Sequence, residues 1–124
     1  GERQSSGCTP TGRHYVRAMV GAGLPLNTVF IARRPTGEVY SEQLARQFPE
    51  RDWILSRIIW LCGLESGRNR GSGVDSFRRF IYIHGTPDAE PMGVPRSHGC
   101  IRMRNADVAD LYDRVSPGLP VTIR

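Results

Sequence analysis

The stretch HGTPDAEPMGVPRSHGCIRMRN, from His84 to Asn105, holds two of the chain's three histidines and one of its three cysteines. His98 precedes Cys100 by two residues, Arg102 follows it by two, and His84 lies sixteen upstream. Three chemistries use these residue types. Zinc accepts imidazole and thiolate. A His-x-Cys pair, however, reaches poorly for two ligands from one strand, and no Cys-x-x-Cys, His-x-x-x-His or suitably spaced carboxylate joins it, so no metal is expected. A structural turn would make His98 a satisfied histidine and Cys100 a small buried residue. That leaves unexplained why His84 closes a strand at a Gly-Thr-Pro turn while His98 and Cys100 occupy the next tight turn, where rigid scaffolds present chemistry.

A thiol nucleophile with its base accounts for each part. An ordinary thiol, with a pKa near 8.5, is only a few per cent thiolate at neutral pH. Lowering that value by about two units makes most of it thiolate, a gain of roughly 2 kcal/mol. A histidine at hydrogen-bond distance does this and can return the proton to a leaving amine. Gly99 lets the backbone pass close to a substrate, and successive amides around Cys100 can form an oxyanion hole. If the segment is extended, Arg102 lies on the same side as Cys100, a fixed cation suited to a carboxylate. The residues alone do not rank His84 against His98 as the base.

Strands and turns must position this set. Glycine (14) and proline (9) recur at short intervals, the punctuation of a strand-and-turn protein. HYVRAMVGAG alternates and predicts a strand over about 13–20. NTVFIARRPTGEVY predicts a strand, a turn at Pro35-Thr36-Gly37, and a return. SEQLARQF predicts a short helix near 41–48 with Ser41 as its cap, stopped by Pro49. DWILSRIIWLCGL has apolar residues on both alternate faces and reads as a buried strand rather than a helix. ESGRNRGSGVDS reads as a loop, and RRFIYIHG as a strand whose end delivers His84. Asn105 is a good N-cap for a helix at about 105–115 with Val108, Leu111, Tyr112 and Val115 on one face, and GLPVTIR closes as a strand.

At 124 residues the chain has room for one domain with a moderate core. No apolar run approaches the length of a membrane-spanning helix. The net charge is +5, and all seventeen basic residues are arginine. They are spread from Arg3 to Arg124 without finger spacing or an aromatic-rich sheet motif, so nucleic acid is not expected, and an acidic substrate or anionic surface fits better. Three cysteines leave at least one thiol unpaired or paired between chains. Cys62 reads as a small buried thiol; Cys8, in SSGCTPTG, as structural or as a partner for Cys62.

The pattern IHGTP then SHGCIR, with the twelve residues Gly85 to Arg96 between His84 and Ser97, resembles that of the L,D-transpeptidase (YkuD-like) catalytic domains of bacterial cell-wall enzymes. TPTGRHYV, TVFIARRPTGE, RDWIL, GLESGRNRG, VDSFRRFIYIHGTPD and SHGCIRMRNADV extend the likeness over nearly the whole chain. The resemblance implies a mainly β fold, a mixed sheet arranged as a sandwich or barrel with the two helices above. It implies Cys100 as nucleophile, His84 as general base and acid oriented by the carbonyl of Gly85, and His98 and Gly99 in support. It assigns substrate contacts to Arg102, Ser97, Tyr82 and Arg96, and no cofactor.

The implied reaction is attack on the L-centre carbonyl of a peptidoglycan stem peptide, a thioester, and resolution by an acceptor amine into a cross-link. Hydrolysis as an L,D-carboxypeptidase or wall amidase on the same scaffold is the alternative, and a wall-binding module with a dead site is a third. Donor and acceptor stems are the expected partners, with a wall-anchored lipoprotein as a further candidate, in an exported, periplasmic or envelope setting, with reactivity toward carbapenems. GERQSSGCTPTG resembles an internal segment of such domains. The natural product is therefore expected to continue upstream with at least two more strands, whose absence would leave the strand beginning near Arg13 short of a partner.

Overall fold

The computed structural model describes residues 10–71, 75–77, 81–88 and 100–124. The chain runs β1 (Gly12–Val20), β2 (Thr28–Ile31), β3 (Arg34–Val39), α1 (Glu42–Gln47), β4 (Ile54–Gly63), β5 (Tyr82–Thr86), β6 (Ile101–Arg104), α2 (Asn105–Arg114) and β7 (Pro120–Ile123). The mainly β class and both helices are as the sequence implies. All seven strands among the described residues belong to one sheet that branches at β4.

The apolar run ILSRIIWLCG is β4, and its partners explain why it is apolar on both faces. One edge pairs antiparallel with β5, including Ile58 with His84 and Trp60 with Tyr82. The other edge takes β1, from His14↔Gly63 to Val20↔Ile58, and then β2, with Val29↔Leu55 and Phe30↔Ile54. Between β1 and β2 the chain loops away where Ser56 interrupts β4 with φ +71°. β5 and β6 pair in parallel, with His84 beside Arg102 and Gly85 beside Met103.

Strand alternation sorts the side chains by face. Val16, Ile59, Leu61, Ile81 and Ile83 form one buried cluster with Val108 of α2, joined by Ile101, Met103, Leu111, Tyr112 and Val115. Phe30, Ile58 and Tyr82 are buried on the other face, with Trp60 and Cys100 packed against them. A third cluster of Val29, Trp53 and Leu55 lies under Leu44 and Ala45 of α1, where the Ser41 hydroxyl caps the helix by accepting from the Leu44 N–H at 3.1 Å.

Three expectations are corrected. The β2–β3 hairpin turns at Ala32-Arg33, because Ile31 pairs with Arg34; Pro35 and Gly37 lie inside β3. Asn105 is not the cap of α2 but its first residue. Arg104 is the N-cap and makes no side-chain cap bond, and the Asn105 side chain turns inward instead. The strand beginning near Arg13 has a partner over its first residues, since β7 pairs with Gly12–Tyr15 on the edge away from β4.

Candidate active site

His84 reaches the site from the middle of the sheet. All five residues of β5 are buried between β4 and β6. Alternation sends Ile83 into the α2-side core and puts Tyr82 and His84 on the opposite face. The His84 ring donates from Nδ1 to the carbonyl oxygen of Gly85 at 2.7 Å. A carbonyl only accepts, so the proton sits on Nδ1 and the lone pair on Nε2. Burial holds the His84 pKa below the ordinary imidazole value. The bond to Gly85 and the charge of Asp52 oppose this, and the Arg102 charge adds to it. At neutral pH the ring is a free base.

What holds Gly85 is a polar knot on the strand's far side. A Cβ on Gly85 would run into the Asn105 side-chain oxygen and come within 2.6 Å of the Leu55 carbonyl oxygen. Asn105 accepts from the Ser56 hydroxyl at 2.7 Å through Oδ1, and donates from Nδ2 to Asn27 Oδ1 at 2.7 Å. The Ser56 hydroxyl in turn accepts from the Asn27 N–H at 2.9 Å. Neither Asn27 nor Ser56 had a place in the sequence reading, and Asn105 was read there only as a helix cap. Their signal was a serine inside an otherwise apolar strand and an asparagine where a strand runs directly into a helix.

Cys100 immediately precedes β6 and is half-buried. The Tyr82 N–H donates to its Sγ at 3.4 Å, so the thiol meets the start of β5. Ile101 and Met103 pack into the α2-side core, which puts Cys100 and Arg102 on the face that carries Tyr82 and His84. Of the residues singled out in the sequence, the structure thus brings Cys100, His84, Gly85, Tyr82 and Arg102 together. Ser97, His98, Gly99 and Arg96 lie outside the described residues.

Chemically, this is a sulfur receiving one backbone N–H on the same sheet face as a neutral imidazole whose lone pair is on Nε2. Such a pair suits base-assisted attack on a carbonyl. Among the described residues no group of three or more His, Cys, Asp and Glu side chains converges as metal ligands would.

A family model for the L,D-transpeptidase catalytic domain (YkuD) matches residues 1–123. The chain belongs to this family. No match to it was found among curated proteins or among solved structures. In this L,D-transpeptidase domain the other described cysteine is set apart from the site. Cys62 is a buried free thiol near the end of β4, laddered with Tyr15, whose hydroxyl pKa is raised first by its bond to Cys62. Cys8 lies outside the described residues.

Proposed function

We propose that the domain is a peptidoglycan L,D-transpeptidase with Cys100 as its nucleophile. The observation that carries the reading is the Cys100 thiol on the same sheet face as an imidazole kept neutral by burial, with its proton pinned to Nδ1 by Gly85. Family membership supplies the substrate class, the stem peptides of the bacterial cell wall.

The steps follow from the groups present. His84 Nε2 takes the thiol proton as Sγ attacks the L-centre carbonyl of the donor stem, and an S–C bond forms. The C–N bond to the terminal D-amino acid breaks, and the proton on Nε2 goes to the departing amine, leaving a thioester on Cys100. An acceptor amine then attacks the thioester carbonyl and loses a proton to Nε2. The C–S bond breaks, and that proton returns to sulfur. Arg102, beside His84 in the ladder, supplies a cation on the same face for substrate carboxylates. Ser97, Arg96 and Tyr82 complete the proposed substrate contacts, with His98 and Gly99 supporting the thiol. Such an enzyme works outside the cytoplasm, in the periplasm or envelope.

The test is incubation with disaccharide tetrapeptide followed by mass spectrometry. A cross-linked dimer is expected; a trimmed monomer alone would assign the domain to hydrolysis. Cys100→Ala should abolish turnover, and a carbapenem should leave its adduct on the peptide containing Cys100. An adduct on Cys62 or Cys8 would refute the assignment. His84→Ala should lower acylation by roughly 100-fold or more.

A further inference from the structure

The sheet face that carries Cys100 and His84 also carries fixed positive charge. Arg102 stands beside His84 in the β5–β6 ladder and two residues after Cys100. Two residues of chain span at most about 7 Å between α-carbons, whatever their conformation. Arg33, in the β2–β3 turn with φ 66°, lies 5.1 Å from the centre of the Trp60 ring and donates from Nη1 to the Tyr82 hydroxyl at 3.3 Å. The Tyr82 backbone N–H meets Cys100 Sγ, so one residue touches both the thiol and the Arg33 guanidinium. Phe77 stacks on Trp60 at 4.1 Å and 10°, and the exposed Arg17 lies 5.7 Å from the centre of the Phe77 ring. Every one of these cations is an arginine. Lysine is absent from the whole sequence, including the stretch 89–99 that leads into Cys100.

The kind of cation matters to an enzyme that holds an acyl group as a thioester. Any neutral amine within reach can attack the thioester carbonyl carbon. An N–C bond forms, the C–S bond breaks, and the amine proton passes through His84 Nε2 to the sulfur. At a resident lysine the product is an amide that fixes the stem to the protein. With a pKa near 10.4, fewer than about one lysine in a thousand is neutral at neutral pH, a handicap it shares with any ordinary acceptor amine. Concentration then decides the contest. A group on a short flexible tether has an effective concentration of roughly millimolar, whereas enzymes work with substrates at about 1 μM to 1 mM. A lysine at position 102 would equal or outrun the acceptor. A guanidinium, with a pKa above about 12, stays protonated and offers no lone pair, yet carries the same charge.

We propose that Arg102 and Arg33 restrict which amine resolves the thioester: they place positive charge beside Cys100 while withholding an amine, so that only an amine brought by a second substrate can accept the acyl group. The inference rests on the acyl-transfer reading of Cys100. Stacking on Trp60 gives Arg33 a further reason to be arginine. Charge alone gives Arg102 none, since a lysine there would also hold the His84 imidazole neutral as the Arg102 charge does. The discrimination works against a competitor rather than for the partner.

The test is incubation of the unsubstituted protein, Arg102→Lys, Arg33→Lys and Arg114→Lys with disaccharide tetrapeptide at sub-millimolar concentration, then hydroxylamine, then intact-mass measurement and peptide mapping. Hydroxylamine releases thioesters and spares amides. Arg114 is exposed in the last turn of α2, the helix packed on the other face of the sheet, so its variant controls for acylation by another copy. Arg102→Lys and Arg33→Lys should accumulate a hydroxylamine-resistant stem on the introduced lysine, at roughly tenfold or more the level on the unsubstituted protein; Arg114→Lys should not. A resistant adduct on the unsubstituted protein overturns the inference, as does equal labelling of Arg114→Lys. Cross-linking by Arg102→Lys and Arg33→Lys with neither one labelled also sinks it, and leaves the transpeptidase reading standing. If Arg102→Lys does not fold, Arg33→Lys decides. No turnover by the unsubstituted protein fails the transpeptidase reading itself, and the inference with it.

Discussion

Ser56→Ala isolates the polar knot behind the site. Ser56 is fully buried within β4, accepting from the Asn27 N–H and donating to Asn105 Oδ1. Removing its hydroxyl leaves both partners short of a bond. Each deprived buried group costs about 1–3 kcal/mol. Asn27 is only half-buried, so water can reach its N–H and hold that share near the lower limit, whereas Asn105 is 5% exposed and bears the fuller penalty. The sum is about 2–4 kcal/mol, a large part of the roughly 5–15 kcal/mol that stabilises a domain.

Ser56→Gly loses the same bonds but relieves the left-handed backbone at φ +71°, so it should be milder than alanine by up to about 1 kcal/mol. Urea unfolding of the three proteins, with m held constant, reads both differences. An alanine variant within about 0.5 kcal/mol of wild type would refute the claim that the knot secures β4 to α2. An alanine variant milder than the glycine one would refute the backbone argument.

Three further outcomes are expected. Gly85→Ala should destabilise by about 1–3 kcal/mol, because the new methyl meets the Leu55 carbonyl and the Asn105 side chain; it should also slow Cys100 acylation by moving the carbonyl that orients His84, and normal acylation in a stable variant would disprove that coupling. Burial holds both His14 and His84 below the ordinary imidazole value, so the unfolded chain binds protons there that the folded one does not. Stability should be full above pH about 6.5 and fall as pH drops through that value toward the depressed folded values. The lowered carboxyls of Glu38 and Glu65 act only at more acid pH, so unfolding free energies that stay flat from pH 7 to 5 would contradict the histidine assignment. Cys62→Ser should lower stability, since it puts a stronger polar group into a buried site, while leaving the rate of Cys100 alkylation unchanged.

Much of the fold was legible because its signals are local. Period-two alternation marks β1, the run RRFIYIHG ending at a glycine turn marks β5, the Ser41 cap and Pro49 bracket α1, and the 3.6-residue stripe of Val108, Leu111, Tyr112 and Val115 marks α2. Four of the five described site residues gained their places through the same alternation, and Gly85 through its bond to His84. The β2–β3 turn was misplaced because Pro-Thr-Gly is the stronger turn signal, whereas Ala32-Arg33 is held against propensity by the pairing of Ile31 with Arg34 and by the stacking of Arg33 on Trp60. Asn105 was misread because its helix-cap chemistry is local and its actual bonds are not: Ser56 and Asn27 lie 49 and 78 residues away in sequence. Likewise the strand pairing of β1 with β7 joins opposite ends of the described chain, a contact no periodicity announces.

The placement of His84 within β5, between two neighbouring strands, sets how the domain can move. Backbone amides held in ladders on both sides of a buried strand open only with the whole structure. Protection of the β5 amides from hydrogen exchange should therefore equal the global unfolding free energy, and the buried setting of His84 should be lost on heating only with the fold. Motions short of global unfolding therefore leave this strand in place, and with it the bond between the His84 ring and the Gly85 carbonyl.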